Sequence, residues 1–241
     1  MKPYQRIPIL ECGEPLIPIP LELFAVEEPH PYAKLSAPYG GRSPYYLRQA
    51  VLEGLITAQD HLQQLYPRWR VQIFDAYRPI AVQQFMVDYT FAETARAQGF
   101  SPDRLTNEQR QAILEQVYQF WALPSDDPTM PPPHSTGAAV DVTLVNDQGQ
   151  VVNMGSPIDE LSPRSYPDHF ATVPVDQSPQ QQSLRETFHR NRQLLRNVMI
   201  RAGFRQHPRE WWHFSQGDQM WAWLMNLESS DTMLIAHYGA V

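Results

Sequence analysis

A single α+β domain is the fold class the sequence predicts, on three observations. Apolar residues recur at three- and four-residue steps over 47–65 and again over 183–202, the period of a helix lying on a core. Short β-type runs stand at 71–74 and 139–145, the second alternating Val140, Val142 and Leu144 against Asp141 and Thr143. No internal repeat and no clear linker divides the 241 residues, a length that supports one sizeable core.

Taken in chain order, residues 1–46 are rich in proline and read as extended chain and turns, an arm laid on the body formed by 47–241. The first helix carries Leu47, Val51, Leu55, Ala58 and Leu62 on one face and ends at Tyr66-Pro67. The strand Val71–Phe74 stops at Asp75 and the Arg78-Pro79 pair. Helical stretches are expected over 82–97 and 107–121, separated by Gly99 and Pro102. An acidic, proline-studded loop over 123–133 leads into the strand Ala139–Val145. Asp147-Gln148-Gly149 is a turn from which Val151-Val152 pairs back. Residues 155–180 form a long loop of the kind that in a compact domain usually serves function. The helix over 183–202 ends at Gly203, and a last strand is expected over Trp211–Phe214.

The net charge of −7 speaks against a nucleic-acid backbone or an anionic membrane as partner. Cys12 is the only cysteine, so neither an intrachain disulfide nor a thiolate-only metal site is available. The stretch from Met1 to Phe24 is interrupted by five prolines and holds no continuous apolar h-region. No apolar run approaches the roughly twenty residues of a membrane span. The expected location is the cytoplasm and the expected partner a small molecule.

Three segments carry chemistry. In Pro133–Asp141, a loop histidine, His134, and a strand carboxylate, Asp141, can converge on one point. Alone, that segment reads more simply as a surface histidine and a turn-stabilising aspartate. In Glu210-Trp211-Trp212-His213-Phe214, a carboxylate and an imidazole sit three residues apart among aromatics that exclude water. A buried, charged Glu210 would need a partner there. Together the two segments supply His134, Asp141 and His213, the two-imidazole, one-carboxylate set typical of catalytic zinc, and leave Glu210 as general base. The third segment, Phe74–Pro79, offers Arg78 to a substrate carboxylate or a developing oxyanion, or to a structural ion pair with Asp75. No H-E-x-x-H helix or G-x-S-x-G elbow is present, and Cys12 has no histidine beside it.

Asp-x-Tyr-Arg-Pro at 75–79, His-x-x-Gly-x-Ala-x-Asp at 134–141, Met-Gly-Ser-x-x-Asp at 154–159 and Glu-Trp-Trp-His at 210–213 follow one another in an order and spacing that resembles the VanX-type D-alanyl-D-alanine dipeptidases. These belong to the zinc D,D-peptidases, whose fold also occurs in hedgehog signalling domains. The resemblance covers residues 45–215. It implies a small antiparallel sheet with flanking helices, carrying one zinc ion per chain on His134, Asp141 and His213. It further implies Glu210 as the residue that activates water, Arg78 as the stabiliser of the oxyanion, and Asp159 as receiver of the substrate's free ammonium. D-Ala-D-Ala is the implied substrate. A zinc D,D-carboxypeptidase or endopeptidase acting on peptidoglycan peptides, and a non-catalytic hedgehog-type zinc-binding module, are the alternatives. Two positions depart from the family pattern. Pro132 replaces a common serine and offers neither hydroxyl nor N–H, so another group must bind substrate there. Ile158 stands where an aromatic is usual. Tyr32, Tyr39 and Tyr46 are candidates to give the ammonium pocket a hydroxyl, and the choice among them stays open. His30, His61, His169, His189, His207 and His237 read as exposed or structural, and 86–130 carries no assigned role.

Overall fold

Strand β5 (Ala139–Val145) forms over the residues its alternation predicts, and every one of them is buried. It is the middle strand of a five-stranded sheet ordered β2-β4-β5-β7-β6, in the computed structural model that describes residues 2–172, 178–228 and 233–241. The other strands are β2 (Ala25–Val26), β4 (Arg70–Asp75), β6 (Arg205–Gln206) and β7 (His213–Ser215). All neighbours are antiparallel except β2 and β4. A separate two-stranded ribbon pairs β1 (Leu16–Pro18) with β3 (Tyr46–Arg48). The chain is thus a single α+β domain, with one parallel pair at the edge of an otherwise antiparallel sheet.

Helices α2 (Gln49–Leu65) and α5 (Pro179–Arg201) cover one face of the sheet. Val51, Leu55, Ala58 and Leu62 of α2 meet Val71, Ile73, Val140, Val142, Leu144 and Phe214, together with Leu195 and Met199 of α5, in the main core. Helix α5 begins four residues before the expected 183, because Ser178 accepts from the backbone N–H of Gln181, whose side chain returns to the Ser178 N–H, and Pro179 occupies the first turn. A second apolar cluster joins α3 (Ile80–Ala97) to α4 (Asn107–Val117), with Tyr32 of the short helix α1 (Pro31–Lys34) and Trp121. That cluster gives residues 86–130 a structural part, because it holds Trp121 in the wall of the cavity described below and Tyr32 against the Arg78 and Asp159 side chains that line it. The helix expected to reach Trp121 stops at Val117.

The last strand comprises His213–Ser215 rather than Trp211–Phe214, because the two tryptophans precede it and Trp211 N–H donates to Ser165 O. Val151 bridges back to Val145, as the turn implied. Residues 155–172 form a loop with one short 3-10 turn, Pro163–Ser165; residues 173–177 of the long loop lie outside the described residues. Helix α6 (Gln219–Glu228) carried no expectation. The proline-rich first 46 residues supply β1, β2 and α1, and Arg48 ties them down by pairing with Glu11 at 3.1 Å.

Sheet register places the functional side chains. Asp75 on β4 lies opposite Asp141 on β5, which lies opposite His213 on β7, so three polar residues form one row across three strands. The row exists because β4 contains a bulge: Ile73 pairs with Val142 and Asp75 with Asp141, leaving Phe74 as the extra residue. Without that extra residue the side-chain alternation would put Asp75 on the wrong face.

Candidate metal centre

His134 sits in a 3-10 turn, Pro133–Thr136, that closes at Gly137 with φ +71°. A Cβ at Gly137 would fall 2.2 Å from Leu16 Cδ2, so both the left-handed turn and the close approach of β1 require glycine. The His134 Nδ1–H donates to Ala76 O at 2.7 Å, which fixes the tautomer and leaves the Nε2 lone pair facing inward. Nε2 lies 3.2 Å from His213 Nδ1 and 3.2 Å from Asp141 Oδ2, and His213 Nδ1 lies 3.0 Å from Asp141 Oδ1. Tetrahedral zinc with bonds of about 2.0–2.1 Å sets its ligand atoms about 3.3–3.4 Å apart. The three side chains are therefore spaced as zinc ligands are, and all are buried. His213 presents Nδ1 to this cluster, while its Nε2 is buried with no hydrogen-bond partner among the described residues. Burial by itself would raise the pKa of Asp141, but the two imidazoles beside it hold the carboxylate well below the usual range. The reading of His134 as a surface histidine is excluded by its 4% exposure.

Glu210 approaches from the turn before β7, immediately ahead of the buried Trp211 and Trp212 in the chain. Its Oε2 lies 3.8 Å from His213 Nδ1 and its Oε1 3.6 Å from His207 Nδ1. Oε1 is buried with no hydrogen-bond partner, so the partner expected for a buried Glu210 is not supplied by the described residues. Burial, reinforced by Asp141 and opposed by His213, pushes its pKa up to about 7, the value at which a carboxylate exchanges protons most usefully near neutral pH.

Arg78 does pair with Asp75, Nε donating to Oδ2 at 2.8 Å, yet it also lines the same cavity. Its Nη1 donates to Gln83 Oε1 at 2.8 Å, and its Nη2 to Tyr32 Oη at 3.2 Å and Asp141 Oδ2 at 3.4 Å. The guanidinium stands 5.0 Å from the ring centres of both Tyr32 and Trp121. Asp75 is held in turn by His30, whose Nε2 is 3.2 Å from Oδ1. The ion pair and the inward-facing cation are one arrangement: Asp75 fixes Arg78 in place.

Asp159 adopts φ +64°, a left-handed conformation that aspartate tolerates better than most residues and that turns its side chain inward. Its Oδ2 accepts from Tyr32 Oη at 2.8 Å, so Tyr32 is the one of the three tyrosines that reaches this carboxylate. Tyr39 instead lies 3.5 Å from Asp75, and Tyr46 is on β3. Arg164 is 3.6 Å from Glu160, not paired with Asp159. Burial first, then repulsion from Asp141, raises the Asp159 pKa to about 7 against the pull of Arg78 and the Tyr32 hydroxyl.

His134, Asp141, His213, Glu210, Arg78 and Asp159 all line a single cavity of about 520 Å³ including its mouth. Sequence reasoning missed His207, Gln83 and Lys2, which line it too. His207 stands three residues before Glu210, a spacing that was available as a signal; Lys2 and Gln83 had none.

The profile of the family described as D-ala-D-ala dipeptidase, Peptidase_M15, matches residues 25–232. A protein of Synechocystis sp. named D-alanyl-D-alanine dipeptidase is 54% identical over 241 residues, covering 100% of this chain and 97% of its own. One of the same name from Escherichia coli is 36% identical over 88 residues, 36% of this chain and 39% of its own. Among solved structures, the D,D-pentapeptidase VanY in complex with Zn(II) superposes with a TM-score of 0.43 at 15% identity, over 77% of this chain and 80% of that one.

Proposed function

The chain belongs to the D-Ala-D-Ala dipeptidase family of metallopeptidases, and from that premise we propose that it is a zinc enzyme cutting free D-Ala-D-Ala into two D-alanines. Peptidase action on this dipeptide follows from the family. The zinc, the division of labour among side chains and the restriction to a free dipeptide are our reading.

His134, Asp141 and His213 would hold the metal. When bound, zinc supplies Lewis acidity, lowering the pKa of a water from about 15.7 to about 7 and polarising a carbonyl. Glu210 takes the proton from the attacking water at Oε2, the oxygen nearer His213 Nδ1, and returns it to the amine nitrogen as the peptide C–N bond breaks. Arg78, immobilised by Asp75 and Gln83, faces the carbonyl oxygen that gains charge, and its position costs no reorganisation during the reaction. Trp212, buried in the wall of the same cavity, helps to keep bulk water from Glu210. The lone, exposed Cys12 suits a reducing compartment, and we place the activity in the cytoplasm. Among the described residues no helix is long and apolar enough to cross a membrane.

The observation that carries the dipeptidase reading is Asp159. Its half-buried carboxylate has one hydroxyl donor, Tyr32, and no cation of its own closer than Arg78, which is already committed to Asp75. A substrate ammonium supplies the missing charge. N-acetyl-D-Ala-D-Ala should therefore be cut at least about 30-fold less well than the free dipeptide, the smaller end of the cost of leaving one member of a buried charge pair unmatched. Asp159→Asn should narrow that gap. The same group fixes a pH dependence: below about 7 Asp159 is neutral and above it charged, so kcat/KM of the wild type relative to Asp159→Asn should rise through that pH. Equal kcat/KM for free and acetylated dipeptides would favour a carboxypeptidase. A zinc-loaded protein that cuts neither would favour a binding module.

A further inference from the structure

Lys2 enters the cavity from a part of the chain far from every motif. Its Nζ donates to Trp121 O at 3.2 Å, and its side chain lines the cavity beside Glu210, His207 and Tyr4. Among the described residues no carboxylate pairs with it. The segment behind it is fixed. Lys2 N–H donates to Gln5 Oε1 at 2.7 Å, Tyr4 is 4% exposed, and Gln219 of α6 donates to Ile7 O at 2.7 Å. A lysine on such an anchored turn reaches Trp121 by packing, not by chance of a mobile tail. Burial lowers its pKa, with Glu210 pulling the other way, so the ammonium is partly stripped of water and short of an anion.

The rest of the cavity wall explains what the anion is for. Arg78, the other cation there, is held by Asp75, Gln83, Tyr32 and Asp141 and is assigned to the developing oxyanion, not to a carboxylate. Pro133, which forms the wall next to His134, has no backbone N–H to offer. Trp121 and Ala122 join the two cations: Lys2 holds the carbonyl of one, and Gln83, which holds Arg78, donates to the other at 2.7 Å. Asp159 lies on the Tyr32 and Arg78 side and Lys2 on the Glu210 and His207 side.

We propose that Lys2 binds the carboxylate of the substrate's C-terminal residue, so that the cavity grips a zwitterion at both ends and selects a free C-terminal acid. This rests on the dipeptidase reading and adds to it a specificity-determining residue contributed by the N-terminal turn. Lys2 Nζ–H donors shift from Trp121 O to the carboxylate, a charge-assisted hydrogen bond in a site that excludes water.

The test compares D-Ala-D-Ala with D-alanyl-D-alaninamide, which lacks only the terminal charge. The zinc-loaded wild type should favour the acid by about 10–100-fold in kcat/KM, mostly through KM, the range that a hydrogen bond to a charged group supplies. Lys2→Met should bring the two substrates near parity by weakening the acid alone, and Lys2→Arg should restore most of the preference. An acid-over-amide ratio unchanged in Lys2→Met overturns the proposal. So does an equal fall in kcat on both substrates, which would make Lys2 a counter-ion of Glu210. Calorimetric binding of the same two compounds to zinc-loaded Glu210→Ala, with and without Lys2→Met, reads the contact without turnover. If the wild type releases no D-alanine, the dipeptidase reading falls, whereas the loss of acid binding in Lys2→Met still decides the role of Lys2.

Discussion

Glu210→Ala protein should keep its full zinc content and lose about 10²–10⁴ in kcat, the usual worth of a positioned general base. The two halves of that expectation have separate causes. Metal retention follows because His134, Asp141 and His213 face one another at 3.0–3.2 Å without Glu210 among them. The loss of turnover follows because no other carboxylate near the centre is free to move a proton. Asp141 is held ionised by two imidazoles, Asp75 is locked to Arg78, and Asp159 lies with Tyr32. A zinc-loaded Glu210→Ala enzyme with near-normal kcat would assign the proton transfer elsewhere. Stability supplies an independent reading. A carboxyl whose folded pKa is raised from 4.5 to about 7 favours the folded state less as pH climbs through that interval, because the unfolded chain ionises first. Metal-free Glu210→Gln should therefore gain thermal stability over the wild type between those pH values.

His213→Ala should lose the metal itself, and with it all measurable peptide hydrolysis. Removing one of three protein ligands costs more than the about 10–100-fold in affinity lost with an outer-sphere partner. His134→Ala should behave alike, since Ala76 O orients that ring and no second histidine stands ready to replace it; His207 contacts Glu210 Oε1 instead. Both variants create cavities beside β5 and β7, so their folding should be checked by far-UV circular dichroism before zinc is measured. Full zinc occupancy in either folded variant would remove that residue from the ligand set.

Much of this site was legible because its parts are local. His134 and Asp141 are seven residues apart on one turn and strand, and Glu210 and His213 are three apart, so adjacency in sequence carried into adjacency in space. The strand Ala139–Val145 was equally clear, since both its faces are patterned. What the sequence hid depends on long-range packing. The bulge at Phe74 that aligns Asp75 with Asp141 leaves no mark in composition. Tyr32 reaches Asp159 across 127 residues, and Lys2 reaches Trp121 across 119. The two-residue strands β2 and β6 are too short to show a period. Helix α6 is apolar around most of its circumference, so no stripe announces it. Residues 86–130, for which no role was expected, support the cavity wall through the packing of α3 and α4 on Tyr32 and Trp121.

The most direct test of the account couples metal content to turnover in the unmodified protein. Zinc should be present at one ion per chain, and D-alanine release from free D-Ala-D-Ala should disappear on chelation and return when one equivalent of zinc is restored. Undiminished release from metal-free protein, or no release from protein carrying its full zinc, would contradict it.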